Sequence, residues 1–337
     1  MDFTITEDQA TLTQGVRDYL TGVHAPELLR ALDASDSRRS ADVWQGLVQM
    51  GLPGLLIPEA QGGLGLSLLD AVLIAAELGR AGVAEPLAET ALVAAPLLAK
   101  AGGQEALLAA IAGGDAKVAL QHPVNPWVAD LGGASHVLSV RDGTLLLAGH
   151  GGDAEQLDSV DPLRRLYVPI EAAGTAVGSA DALLDHAALI AAAQLVGVAD
   201  AMLGQATEYA KNRSQFGQPI GSFQAVKHHL ATAVVKIEFA KPVIQRAAVA
   251  LAEGSASAPV HVSHAKLAAT DAAWAMSETA IQTHGAMGYT YEVDLHFWMK
   301  RAWALSGAWG DRAFHLARID AAVLGGALPI GPGHSFA

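Results

Sequence analysis

The chain of 337 residues contains no cysteine, and only 16% of its residues are charged, against a typical value of about 25%. The absence of cysteine excludes disulfides, thiolate nucleophiles and cysteine-liganded metals, and it permits a reducing compartment. Hydrophobic residues make up 51% of the chain, which excludes an intrinsically disordered protein. So little charge favours a protein that hides part of its surface in an assembly, because a lone globule needs more charge to cover itself.

Basic residues are also scarce: 21 Lys and Arg stand against 34 Asp and Glu, for a formal net charge of −13. Proteins that bind nucleic acid through its phosphates need a basic face, so we expect no nucleic-acid partner. The first residues, MDFTITEDQ, lack the basic start and apolar centre of a signal peptide. Apolar stretches such as 187–199 fall short of the ~20 residues that a membrane span needs. We therefore expect a cytoplasmic protein without a membrane segment.

The pattern of the sequence divides the chain into three parts and a tail. Residues 1–112 are typical of a helical domain. Residues 113–178 are typical of a shortened β domain, in which Asp142-Gly143 joins two apolar runs as in a hairpin. Residues 179–325 indicate an antiparallel four-helix bundle, and 326–337 form the tail. The predicted strands are 117–121, 136–140, 144–147 and 166–170, and the predicted bundle helices are 181–211, 222–252, 259–284 and 292–321. The predicted fold class is mainly α with a small β domain.

Several common catalytic patterns have little support. The glycines at 62–65 lack the preceding strand and following lysine of a phosphate loop, so they favour a turn between helices. His261 and His264 share a helix face, but no carboxylate lies at matching spacing, and we predict no metal site. The chain has no Gly-x-Ser-x-Gly pattern and thus no local support for a serine hydrolase.

Two polar segments carry more information. Residues 213–224 read RSQFGQPIGSFQ and join an arginine, amides, an aromatic ring and a Gly-Pro turn between two helices. They are typical either of a well-capped loop or of a guanidinium and amides that bind a phosphate beside a ring such as Phe216. Residues 282–289 read QTHGAMGY, and their small residues allow another group to approach the backbone.

Taken together, these segments resemble those of the acyl-CoA dehydrogenase family. The resemblance covers nearly the whole chain, through residues 1–9, 58–79, 213–224 and 282–302. It implies a helical, β and helical-bundle order of domains. It also implies FAD-dependent removal of two hydrogens from Cα and Cβ of an acyl-CoA thioester, with an electron-transfer flavoprotein as the acceptor.

The resemblance also implies where FAD would be held. In the family, the two segments of one chain bind the adenosine and pyrophosphate end of a cofactor that crosses a subunit interface. Carried over by motif, the cofactor-binding residues are Arg213, Gln215, Phe216, Gln224, Gln282, Gly285, Ala286 and Gly288. Ala286 stands where the family usually has glycine.

The other half of the family's site is not carried over. The family's flavin-ring segment is replaced by residues 118–125, which read VALQHPVN. Trp309 stands at the usual position of the catalytic glutamate, and Ala187 stands at the alternative position. Neither side chain can accept a proton, so no catalytic residue is assigned. Glu292 matches a structural acid of the family.

This combination resembles the small subunits of α2β2 acyl-CoA dehydrogenases from bacterial steroid degradation. It predicts an FAD-contributing, base-lacking subunit whose full-length partner supplies the glutamate and the flavin-ring pocket and binds most of the acyl-CoA. A steroid side chain is the acyl group suggested by the resemblance. Two alternatives stay open: a self-sufficient homo-oligomer with an unusual base such as Asp311, and an assembly subunit with no flavin role.

Overall fold

The computed structural model describes residues 4–329 and 331 of the chain, so 1–3 and most of the predicted tail lie outside the described residues. The N-terminal part is helical, as predicted. Two of its longest helices start at capping boxes, formed by Thr6 with Gln9 and by Ser67 with Asp70. The helices are α1 (Glu7–Val23), α2 (Pro26–Asp33), α3 (Ala41–Gln49), α4 (Leu68–Ala81), α5 (Ala95–Ala101) and α6 (Glu105–Ala112). A π-helical stretch, Ala88–Ala94, leads into α5.

The middle part contains two small sheets. Its strands are β1 (Val118–Leu120), β2 (Val128–Ala129), β3 (His136–Arg141), β4 (Thr144–Gly149), β5 (Gln156–Leu157), β6 (Leu166–Tyr167) and β7 (Thr175–Ser179). One sheet has the order β1-β3-β4-β7 and the other the order β2-β6-β5. The hairpin prediction is confirmed, since β3 and β4 pair antiparallel across Asp142 and Gly143, which both have positive φ.

Other strand predictions were less accurate. The strand expected at 166–170 ends at Tyr167. β7 was not predicted, because nearly all of its residues are exposed and it therefore lacks an apolar alternation. β1 pairs parallel to β3, a long-range pairing that leaves no local sequence signal.

The C-terminal part is a helical bundle. Its helices are α7 (Ala180–Asn212), α8 (Gln224–Ala252), α9 (Ala258–His284), α10 (Leu295–Gly307) and α11 (Arg312–Val323), and the short strands β8 (Ser214–Gln215) and β9 (Gln218–Pro219) form a hairpin between α7 and α8. The prediction of one helix over 292–321 is wrong. Trp309 and Gly310 both have positive φ and interrupt it, and Asp311 caps the helix that follows.

Helix α7 lies at the centre of the fold and packs closely against α4. Among the described helices it alone is long and apolar enough to pass a test for a membrane span, a property that the shorter run at 187–199 did not predict. Of its most apolar window, 72% is buried inside the fold. The apolar composition of α7 is thus that of a core helix.

Buried charges join the β domain to the bundle. Asp161, which is 1% exposed, pairs with Arg301 of α10. Arg301 also donates to the Val83 carbonyl over 2.9 Å. Nearby, the Arg164 guanidinium lies 3.9 Å from the Trp127 ring centroid, and burial lowers the pKa of Arg164 to about 10. The Asp161–Arg301 pair thus holds the middle of α10 against the β domain.

Candidate functional site

The first predicted cofactor segment forms a tight hairpin at the end of α7. Arg213 caps that helix, and its carbonyl accepts a hydrogen bond from Ile220 N over 2.8 Å. The turn residues Phe216 and Gly217 have φ of 55° and 80°, a type I′ pattern. An aromatic residue rarely adopts such a conformation, and the Phe216 ring is 92% exposed. Such strain with a projecting ring is typical of a residue that meets a ligand or partner.

The second predicted segment forms the end of α9. Gly285 terminates the helix with a φ of 61°, and Ala286 lies outside the positive-φ region, which explains how alanine is tolerated there. Gly288 is buried, and a Cβ there would come within 2.9 Å of the Ile281 carbonyl oxygen. Glycine at 288 is therefore required by close packing.

The two segments lie at the same end of the bundle. Tyr209 in the last turn of α7 stacks on His284 at the end of α9, with ring centroids 4.3 Å apart. The charged and amide side chains of the predicted set are exposed, namely Arg213, Gln215, Gln224 and Gln282. One guanidinium and three amides on a free surface suit the pyrophosphate end of a dinucleotide cofactor.

The loop after α10 carries Trp309, which the resemblance predicts to stand at the family's base position. Its indole is 5% exposed, and its backbone N donates to Asn125 Oδ1 over 2.9 Å. Asn125 belongs to the segment 118–125, which is predicted to replace the family's flavin-ring segment. This hydrogen bond thus joins the backbone of the loop to a β-domain residue that lies 184 positions earlier in the sequence.

Two further side chains hold the same loop. Lys266, 1% exposed, donates from Nζ to the carbonyls of Ser306 and Gly310, over 3.0 and 3.3 Å. His315 Nε2 lies 3.0 Å from the Trp309 carbonyl, which only accepts, so this nitrogen carries the proton. Burial lowers the pKa of Lys266 to about 7 and that of His315 to about 4. The loop is rigidly positioned by these bonds.

Trp309 and Ala187 line one small cavity. They lie on different elements, yet the structure brings together the two positions that the resemblance predicts for the base. The cavity volume is about 10 Å³, roughly that of one water molecule. An acyl chain cannot enter so small a space.

Glu89, which the sequence patterns did not single out, lines the same cavity from the π-helical stretch. Burial raises the pKa of Glu89. A signal for Glu89 was present in the sequence: it is the lone carboxylate in the apolar run 88–98, which the glycines at 102 and 103 follow. A carboxylate in such a run must be buried or paired. Glu89 also lines an adjoining cavity of about 30 Å³ with Arg164 and Arg301.

The other acids singled out by the sequence do not reach the cavity. Asp311 is exposed, and its Oδ1 accepts from Phe314 N over 2.9 Å as the N-cap of α11. Glu292 is also exposed. No group of three or more His, Asp or Glu side chains suited to a metal occurs among the described residues, and His261 and His264 belong to none.

Comparison with known families and proteins gives consistent matches. The profile of the acyl-CoA dehydrogenase N-terminal domain matches residues 6–112, and that of the C-terminal domain matches 176–324. Acyl-CoA dehydrogenase IpdE2 of Mycobacterium tuberculosis is 35% identical over 302 residues, spanning 88% of this chain and 91% of that protein. IpdE2 of Mycolicibacterium smegmatis is 33% identical, over 95% of this chain and 100% of that protein.

Solved structures also match this chain over nearly its whole length. A variant of the Tcur3481-Tcur3483 steroid ACAD has a TM-score of 0.87 at 26% identity and covers 97% of this chain and 100% of that one. The ChsE4-ChsE5 complex from Mycobacterium tuberculosis has a TM-score of 0.85 at 25% identity and covers 96% and 99%. Butyryl-CoA dehydrogenase from Megasphaera elsdenii, at 22% identity, 96% and 100% coverage and a TM-score of 0.80, shares the fold.

Proposed function

Because this chain belongs to the acyl-CoA dehydrogenase family, we propose that it is the FAD-contributing subunit of a heteromeric acyl-CoA dehydrogenase. Its partner, a full-length subunit, supplies the catalytic glutamate and the flavin-ring pocket. The observation that carries the proposal is the contrast between the two halves of the site. The loops predicted to bind the cofactor are exposed and rich in donors, whereas the cavity at the predicted base positions has a volume of only about 10 Å³.

Similar proteins support both the assembly and the substrate class. One similar structure is described as the ChsE4-ChsE5 complex and another as a steroid ACAD with two named components. We propose by analogy an α2β2 assembly, α,β-desaturation of a steroid side-chain CoA ester, and an electron-transfer flavoprotein as the acceptor. The low charged fraction of 16% suits a chain with two kinds of interface to bury.

The residues of this chain would bind and orient the cofactor. The chemistry that FAD supplies when bound is acceptance of the substrate hydride. Arg213 would pair with the pyrophosphate, while the amides of Gln215, Gln224 and Gln282 donate hydrogen bonds. Phe216 would offer its ring to the adenosine. Proton abstraction belongs to the partner, since neither Trp309 nor Ala187 has a group that accepts a proton.

Replacing Arg213 with alanine tests this role. A lost charge-assisted hydrogen bond costs about 1.5–3 kcal/mol, so we expect FAD to bind the complex about tenfold to a hundredfold more weakly. Flavin absorbance per complex after gel filtration, and titration of the apo-complex with FAD, measure the effect. Arg213→Lys should restore part of the affinity, because it keeps the charge but loses the planar fork.

Arg312→Ala is the matched control, since it removes an arginine from an exposed pair with Asp271 elsewhere on the bundle. It should leave flavin content unchanged. Unchanged flavin content in the Arg213→Ala complex would contradict the proposal. Full activity after replacement of both Arg213 and Gln282 would favour the assembly subunit without a flavin role.

Glu89 supports a second candidate, a self-sufficient dehydrogenase in which this half-buried carboxylate is the base. It lies beside Trp309 and Ala187, unlike the exposed Asp311. The leading proposal predicts that Glu89→Gln keeps turnover of the complex within about twofold, because a cavity of about 10 Å³ admits no acyl chain. Steady-state kinetics with an acyl-CoA substrate measure this.

A large loss of turnover in Glu89→Gln would instead identify this carboxylate as the base. Removal of a catalytic base lowers kcat by about a hundredfold or more. Such a loss in Glu89→Gln, together with turnover by a yellow homo-oligomer of this chain alone, would establish the self-sufficient enzyme. A colourless chain that takes up flavin only with its partner would support the split site.

A further inference from the structure

A second, larger cavity is separate from the one at Trp309. It is formed where the end of α1 and the start of α2 meet α4, the later half of α7 and the start of α10. Its volume is about 470 Å³, within the range of about 300–1,000 Å³ typical of small-molecule sites. It shares no lining residue with the cavity at Trp309 or with the predicted cofactor loops.

Two polar side chains in this cavity have nitrogens that make no well-aligned hydrogen bond among the described residues. His24 is 5% exposed, and neither of its ring nitrogens makes one, although the Ala81 carbonyl is close enough to affect its pKa. Gln205 Nε2 is buried and also lacks a partner. Burial lowers the pKa of His24 to about 4, against a smaller raising effect of the Ala81 carbonyl, so the ring is neutral near pH 7. Buried donors without partners are costly, and a ligand with an acceptor would satisfy them.

The charged side chains of the lining are already paired. Arg80 donates to Glu77 over 2.7 Å, and Asp294 pairs with Arg30 at 3.1 Å. Asp200 lies 3.4 Å from Lys241 Nζ. Each of these side chains therefore already has a counter-ion, so a charged ligand would have to compete with an existing ion pair. The other walls are apolar and include Leu20 and the Trp298 ring, whose Nε1 is held by the Arg80 carbonyl.

We propose that this cavity is a binding site for a neutral, mostly apolar small molecule that carries one hydrogen-bond acceptor, such as a ketone or hydroxyl oxygen. The acceptor meets Gln205 Nε2 and the His24 ring, and the apolar body lies against Trp298 and Leu20. The site is independent of the proposed cofactor role, because none of its residues belongs to the FAD loops. It would give the subunit a ligand of its own.

Prodan, a neutral naphthalene ketone whose emission shifts to the blue in an apolar site, is a suitable probe for the full chain. We expect saturable binding with a blue shift. Gly204→Phe should reduce the affinity at least about tenfold, because the ring would occupy the cavity. A Cβ at 204 meets no atom within 4 Å, so the fold should tolerate it. Gly15→Phe is the matched control, a helical glycine equally free of contacts and outside the cavity.

His24→Leu and Gln205→Met test the polar contacts. Each removes one hydrogen bond to the acceptor and should weaken prodan binding about threefold to tenfold. Neither should lower the thermal midpoint, because each removes a buried nitrogen that makes no well-aligned hydrogen bond within the protein. Absence of saturable binding to the wild-type chain would overturn the proposal. So would binding that Gly204→Phe and Gly15→Phe leave equally intact.

Discussion

Replacing Asp161 with leucine is expected to destabilise the chain by about 3–5 kcal/mol, because it leaves the buried Arg301 guanidinium without its counter-ion. The Leu163 N–H, which donates to Asp161 Oδ1 over 3.0 Å, loses its acceptor as well. Urea unfolding followed by circular dichroism measures this loss: the urea concentration at the midpoint should fall while the m value stays unchanged. The β domain would detach from α10, so the Trp309 loop should also become more accessible to proteases.

A double-mutant cycle separates the pair from its surroundings. Arg301→Met alone should also be strongly destabilising, whereas Asp161→Leu with Arg301→Met should recover most of the loss, since no unpaired buried charge remains. The exposed pair Arg312–Asp271 is the control, and its removal should change stability by less than about 1 kcal/mol. Equal effects of the buried and exposed pairs would contradict this account.

Replacing Gly197 with alanine is expected to cost about 3 kcal/mol, the upper end of the range for overpacking. A Cβ at 197 would lie 1.8 Å from the Ala76 carbonyl oxygen in α4. The contact is reciprocal, because a Cβ at Gly79 would lie 2.1 Å from the Gln194 carbonyl oxygen in α7. Backbone atoms of two long helices cannot move aside as a side chain can, so the helices must separate.

Helix α7, which contains Gly197, also provides the control. Gly204→Ala introduces the same methyl where nothing lies within 4 Å, and it should stabilise the chain by about 0.5–1 kcal/mol through helix propensity. Thermal unfolding of the Gly197→Ala and Gly204→Ala proteins measures both changes in stability. A Gly197→Ala protein as stable as Gly204→Ala would show that the helices do not approach as closely as described.

Much of the fold could be predicted from local pattern. Apolar residues at helical spacing gave α7, α8 and α9 to within a few residues, and Asp142-Gly143 gave the β3–β4 hairpin. Family membership and the helical, β and helical order expected from it are confirmed by the profile matches and the similar structures. Such features depend on neighbours in sequence, which is why periodicity and turn residues reveal them.

The positions of the two loops predicted to bind the cofactor could be anticipated in a similar way. Antiparallel helices of similar length bring the end of α7 and the end of α9 together, and the Tyr209–His284 stacking fits that expectation. The assignment of Arg213, Gln282 and the other six residues to FAD stays a prediction, as does the cytoplasmic location.

What only the tertiary structure decided is the interior of the site. The residues around Trp309 have a helical apolar pattern, yet bonds from Asn125, Lys266 and His315 hold the loop out of helical geometry. Glu89 and Ala187 meet Trp309 through packing of elements far apart in sequence. The sequence by itself thus determined the family, the helices and the exposed loops, because these follow from local residue order. The closed cavity and the broken last helix arose from long-range contacts, which local patterns do not encode.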